Sequence, residues 1–243
     1  MTPNRSGGIS LPPLTQLRAG IRAELPIVVG VIPFGIIYGV LAINGGLTPA
    51  QAQAMSVIVF AGSAQFIGAD LIAVGSPLPV IWLTTFVVNL RHLLYSTALG
   101  PDLQHLNRRW RWLLAYLLTD EAYAATAVHY ANRQTARTHK HWFFLGAGLT
   151  LWLSWQLSTA VGVFLGAEIP ASWGLDFTLA LTFIGLVVPL LINTPPIAAA
   201  LIAALVAILT HTLPYKLGLI LAALAGILAG LYLENRSLES DNA

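Results

Sequence analysis

Apolar residues run in blocks long enough to cross a lipid bilayer, separated by short polar or Pro/Gly punctuation. A hydrocarbon core of about 30 Å needs about 20 apolar residues at 1.5 Å each. The pattern predicts spans at 25–44, 50–74, 79–99, 112–130, 142–166, 176–193, 197–213 and 216–233. The fold class is therefore all-α, a polytopic transmembrane helical bundle of about 7–8 membrane segments. The last three spans are plain. The second, third and fourth hold most of the intramembrane polar groups and read as broken or re-entrant, because irregular backbone at membrane depth must line protein or a cavity. Segment 197–213 is short, between Pro195/Pro196 and Pro214. Gly35/Gly39, Gly162/Gly166 and Gly226/Gly230 stand four apart, a spacing that lets helix backbones approach closely.

Composition sharpens this picture: of 243 residues, 56% are hydrophobic and 9% charged, against roughly 25% charged in soluble chains. Disorder, nucleic-acid binding and ordinary cytosolic enzymology are excluded together. There is no cysteine for thiolate metal sites or nucleophiles. No phosphate-binding loop accompanies Gly45-Gly46 or Gly75-Ser-Pro77, so no nucleotide and no other cofactor is expected. Residues 1–24 hold Arg5, Arg18, Arg22 and Glu24 but no apolar core of signal-peptide length, so the following span is expected to remain. They read as a cytoplasmic tail, 25–233 as one transport domain with halves at 25–130 and 142–233, and 234–243 as a C-terminal tail. The halves rest on a faint echo of Met55–Phe60 in Leu179–Phe183, the two-fold repeat common in secondary transporters. Basic clusters stand on both sides of 112–130, at Arg108/Arg109/Arg111 and Arg133/Arg137/Lys140. Either that segment dips in and returns, or one cluster violates the positive-inside rule.

Asp70, Arg91, Asp120 and Glu121 would together cost on the order of 10 kcal/mol facing lipid, so they must face protein, water or one another. On an unbroken third helix, Thr85, Asn89, His92 and Ser96 form one polar stripe, with Arg91 beside it near Tyr95. On an unbroken fourth, Tyr116, Thr119, Asp120, Tyr123, Thr126 and Tyr130 share a face, and Glu121 turns toward a second partner. Ser56, Ser63 and Asp70 recur every seven residues around Phe60-Ala-Gly-Ser-Ala-Gln-Phe66, where small residues suit unwound backbone. The bland reading is an ion pair from Arg91 to Asp120 or Glu121 that only fastens helices. A metal site from His92, Asp120, Glu121 and His129 lacks ligand spacing. His129, His139 and His141 are expected to meet water at a membrane boundary, and the tryptophans to sit mostly at helix ends.

Pro33-Phe34-Gly35, Phe60-Ala-Gly-Ser-Ala-Gln-Phe66, Asn89-Leu-Arg-His-Leu-Leu-Tyr95 and Leu118-Thr-Asp-Glu121, in that order, resemble the signature blocks of the AzlC-type branched-chain amino acid exporters, with Asp176-Phe177 and Phe183-Ile184 in the same pattern. The resemblance covers most of residues 20–233. It implies a bacterial inner-membrane permease, N-terminus in the cytoplasm, that exports leucine, isoleucine, valine and in some members methionine, often with a small AzlD-type membrane partner. An aliphatic zwitterion needs donors for its carboxylate, acceptors for its ammonium and an apolar pocket. The expected substrate site is Phe60, Ser63, Gln65, Phe66, Asn89, Arg91, His92 and Asp120, with Asp120 and Glu121 as proton-coupling carboxylates. Competing classes are a channel or carrier for another solute or ion, an intramembrane acid/base enzyme acting on lipid, and a scaffold for the small partner.

Overall fold

The computed structural model describes residues 12–131, 139–165, 191, 193–214 and 217–241. Every regular element among them is helical: α1 (Pro13–Asn44), α2 (Pro49–Val59), α3 (Gly62–Ala73), α4 (Leu78–Asn89), α5 (Arg91–Leu103), α6 (Arg108–Tyr116), α7 (Asp120–Ala131), α8 (Lys140–Leu165), α9 (Thr194–Leu209) and α10 (Leu217–Asp241). The expected second, third and fourth spans are each two helices, broken at Phe60-Ala61, at Leu90 and at Leu117–Thr119. The sixth, 176–193, and the echo at Leu179–Phe183 lie outside the described residues apart from 191 and 193. The first helix starts at Pro13, so residues 13–24 of the expected tail are its opening turns.

Residues 12–66, 88–131 and 139–165 form one compact unit; 67–87 and the described residues beyond 190 form another. This division cuts across the expected halves, because 67–87 groups with the C-terminal helices. In the second unit α9 and α10 pack through Gly226, where an added Cβ would sit 3.0 Å from the Ala199 carbonyl oxygen and the Ala203 Cβ. Leu201, Ile208, Leu209 and Leu228 are left exposed, as lipid-facing residues are.

The first unit is built on α1 and α8. Leu17 lies on Gly146, Gly20 on Phe143 and Ala147, Gly35 on Ser158, Ile36 on Gly162, and Gly39 on Thr159 and Val163. Contact positions rise together along both helices, so the two run parallel, backbone against backbone. Small residues permit this: in lipid no hydrophobic force separates helix from solvent, and close packing supplies the association.

Two broken hairpins dock on this pair. Tyr38 donates a 3.0 Å hydrogen bond to the Ala52 carbonyl and packs its ring against Phe66 at 5.9 Å. An unbroken helix would hold residues 52 and 66 about 20 Å apart, so the chain doubles back at Phe60-Ala61. Trp110 meets His141 and Trp142, at 4.9 and 5.2 Å, while His129 stacks on Phe143 at 3.7 Å and the Lys140 ammonium lies 4.6 Å from the Tyr130 ring. Both ends of 110–130 therefore touch the start of α8, where a straight helix would separate them by about 30 Å. Its turn, at Leu117, lies against Gly148. That is eight residues into α8, about 12 Å and close to mid-bilayer. Segment 112–130 dips in and returns.

The charge conflict dissolves with it. Arg108, Arg109 and Arg111 and Lys140 lie at one face, which is also the face of Arg18 on α1, while Arg133 and Arg137 are outside the described residues. Asp102, at the end of α5, pairs with Lys140 at 2.7 Å on the same face. The α1–α2 loop at Gly45-Gly46 is at the opposite end of α1. Because the chain is cysteine-free, single cysteines report cleanly. A membrane-impermeant thiol reagent applied to oriented vesicles should label Arg108→Cys and Lys140→Cys from one side and Gly46→Cys from the other; opposite sidedness for 108 and 140 would refute the dip.

Candidate functional site

The breaks have local causes. α2 starts on a capping box, Thr48 with Gln51, and Pro49 in its first turn; it ends at Phe60, which sits in the left-handed region at φ 39, ψ 47. A bulky residue there carries strain of order 1–3 kcal/mol and persists only where its surroundings hold it. Phe60 is buried against the Tyr116 ring at 5.8 Å. α7 is opened by Thr119, whose hydroxyl accepts from the Ala122 N–H at 3.3 Å, placing Asp120 and Glu121 in the first turn, where the helix dipole favours negative charge.

Tyr116 joins the two turns. Its hydroxyl donates to the Val57 carbonyl at 2.6 Å, one of the carbonyls that the end of α2 leaves without a helical partner, and accepts from the Trp152 indole N–H at 2.8 Å. Tyr116→Phe should lower stability by about 1 kcal/mol, read as an earlier thermal transition in detergent; an unchanged transition would mean that water serves Val57 equally well.

Arg91 and Asp120 form an ion pair at 3.0 Å, with side chains 26% and 30% exposed. The acid that pairs with Arg91 is thus Asp120. Tyr95 donates to the other carboxylate oxygen at 2.7 Å and stacks on Tyr123 at 4.4 Å. The His92 ring lies edge-on to Tyr95 at 5.9 Å, with Nδ1 3.1 Å from the Asn89 carbonyl oxygen. The Arg91 Nε and Asn89 Oδ1 atoms are buried without a hydrogen-bond partner. Both side chains of the ion pair are nonetheless partly exposed.

A second polar cluster stands at the start of α3. Gln65, fully buried, accepts from the Trp155 indole at 3.0 Å, leaving its amide nitrogen without a partner; the buried Ser63 hydroxyl has none either. Nearby, Ser56 bonds Thr159 at 3.0 Å and Gln53 bonds Gln156 at 2.8 Å, fastening α2 to α8. Phe66 packs edge-on to Phe34 and Tyr38. Among the described residues no hydrogen bond joins this cluster to Arg91–Asp120.

The stripe expected on the fourth span needs an unbroken helix and is corrected: the break at 117–119 separates Tyr116 from Asp120, Tyr123, Thr126 and Tyr130. At the α4–α5 junction Leu90 keeps helical dihedrals, φ −56 and ψ −25, and 78–103 is long and apolar enough to be one span. Thr85 bonds its own helix, to the Ile81 and Trp82 carbonyls at 2.8 and 3.1 Å. Ser56 and Ser63 stand on different helices, and Asp70 is exposed. His129, expected to meet water, stacks on Phe143 and approaches Gln16 at 3.1 Å. His141 lies between Trp110 and Trp142. Among the described residues no three His, Cys, Asp or Glu side chains gather as metal ligands. The residues missed are Tyr95, Tyr123 and Tyr116, and above all Glu24, which was assigned to the tail and is fully buried.

Long apolar helices and broken hairpins, with a partly exposed ion pair among them, define a polytopic membrane protein. The chain belongs to the AzlC family: the model of that family, described as AzlC protein, matches residues 26–169. It is similar to inner membrane protein YgaZ of Escherichia coli K12, 32% identical over 152 residues covering 61% of this chain and 60% of that protein. A membrane protein of Archaeoglobus fulgidus is 32% identical over 160 residues, 66% of this chain and 67% of the relative. The branched-chain amino acid transport protein AzlC of Bacillus subtilis is 28% identical over 169 residues, 69% and 65% of the two. The match thus spans about three fifths of the E. coli relative's length. No solved structure matches the chain.

Proposed function

We propose that this protein is a bacterial inner-membrane permease that exports branched-chain amino acids, with leucine, isoleucine, valine and methionine as substrates, by exchange for protons. The observation that carries this reading is the contrast between the two helix starts at the breaks. The first turn of α3, Gly62-Ser63-Ala64, has no acid and offers backbone N–H groups beside the unpartnered Ser63 hydroxyl and Gln65 amide. The first turn of α7 carries Asp120 and Glu121. One start suits a carboxylate and the other an ammonium, which is the charge pattern of a zwitterion. In the empty site Arg91 satisfies Asp120; a substrate ammonium takes its place and frees the guanidinium for the substrate carboxylate. Phe66 lies with the Gln65 cluster, Asn89 and His92 with the Arg91 pair, and Phe60 packs on Tyr116.

A cavity of about 520 Å³ lined by Ser96, Leu99, Gln104, Arg111, Leu114 and Phe144 opens beside α5. It is large enough for an aliphatic amino acid, and Ser96 is just past Tyr95. Because Arg18, Arg108, Arg109, Arg111 and Lys140 share one face, the positive-inside rule puts that face and the N-terminus in the cytoplasm, so this cavity is the loading vestibule for export. The name of the B. subtilis relative supports the substrate class. A small AzlD-type membrane subunit is the proposed partner, and the exposed aliphatic surface lies in the bilayer. Purified protein in proteoliposomes should exchange internal unlabelled leucine for external labelled leucine. Flux of inorganic ions without leucine exchange would favour a channel, and turnover of lipid in detergent would favour an enzyme.

A further inference from the structure

Resting on that transport reading, we infer that Glu24 binds the coupled proton, at a carboxylate site on α1 and α7 separate from the substrate pair. Glu24 is completely shielded from solvent, and neither of its carboxylate oxygens has a hydrogen-bond partner. A helix tail does not hold a carboxylate in this way. Burial follows from the glycine contact one turn before it: Gly20 lies on Phe143 and Ala147 and brings α1 hard against α8.

Among the described residues no base is paired with it. α8 meets this part of α1 with Phe143, Gly146 and Ala147. On α1 itself Arg18 and Arg22 are exposed. α7 presents Glu121, the charged group that acts on Glu24, with Asp120 and its partner Arg91 beyond it. A carboxylate buried without a counter-charge is costly in its ionised form, which suits Glu24 to taking up a proton. A sodium ion would require several oxygen ligands, and among the described residues no third acid joins them.

Polar groups also stand between the basic face and Glu24. Gln16, two turns before Glu24, meets His129, two turns after Glu121, at 3.1 Å. Between those contacts α7 carries Thr126, fully buried with an unpartnered hydroxyl. Glu121, half-buried, is next to Asp120 in the first turn of α7. In each cycle one proton adds to the Glu24 carboxylate as one amino acid leaves, and departs again toward the basic face as the empty protein returns.

The test is leucine transport by full-length protein in proteoliposomes, measured both as equal-pH exchange and as accumulation driven by a pH gradient. Glu24→Gln should keep exchange near the wild-type rate and lose pH-driven accumulation by at least about tenfold. Accumulation retained at the wild-type level overturns the inference, and so does a requirement for sodium instead of a pH gradient. If Glu24→Gln does not reach the membrane, Glu24→Asp decides: a shifted pH midpoint supports the role and an unchanged one overturns it. Failure of the transport reading shows differently, as wild-type protein that does not exchange leucine at all.

Discussion

Replacing Asp120 with asparagine should abolish the proposed leucine transport, at least about a hundredfold, while the protein still reaches the membrane. The substitution keeps shape and loses charge: Tyr95 can still donate, but Arg91 loses its 3.0 Å partner and the substrate ammonium loses its acceptor. Because the pair is about one-quarter to one-third exposed, water compensates the stranded guanidinium, and the stability loss is about 1 kcal/mol. Export and proteoliposome exchange should both fail, unlike Glu24→Gln, where exchange survives. Membrane abundance, measured alongside, separates transport from folding. Transport at the wild-type rate would remove Asp120 from the site.

Enlarging Gly39 should have a large effect on the fold. A Cβ there would lie 2.5 Å from the Thr159 carbonyl oxygen and 2.6 Å from the Val163 nitrogen, both backbone atoms that cannot swing aside. Gly39→Leu must push α1 and α8 apart, costing about 3 kcal/mol and breaking the surface on which both hairpins dock. The expected result is loss of protein from the membrane, or a large drop in melting temperature in detergent. Gly30, with nothing near its added Cβ, is the matched control and should tolerate alanine. Equal behaviour of Gly39→Leu and Gly30→Ala would mean that the parallel α1–α8 pair does not hold the unit together.

What the sequence made legible follows from the cost of polarity in lipid. The charges of Arg91 and Asp120 had to meet something, and they meet each other; the small residues around Gln65 announced an unwound stretch, and the chain turns at Phe60-Ala61 beside them. Segment 112–130 was undecidable because hydropathy registers a crossing and a dip alike; only Trp110 and Tyr130, both at the start of α8, distinguish them. Glu24 was concealed by its neighbours, since an acid two residues after Arg22 reads as tail until Gly20 is seen to seat α1 on α8. The role of Tyr116 depended on a contact 59 residues away in sequence, with a carbonyl freed only by the break in α2. Periodicity treated each broken span as one helix, and so placed Tyr116 on a stripe with Tyr130 that the turn at Leu117 abolishes.

The most direct measurement is equilibrium binding of leucine to the purified protein, compared with leucinamide, which lacks the carboxylate, and 4-methylpentanoate, which lacks the ammonium. Two helix starts, one bare and one acidic, predict saturable leucine binding and a loss of about a hundredfold or more for either analogue, since each leaves a polar partner unmet. Equal affinity for all three, or no leucine binding by protein that is folded, would contradict a zwitterion site at the two turns.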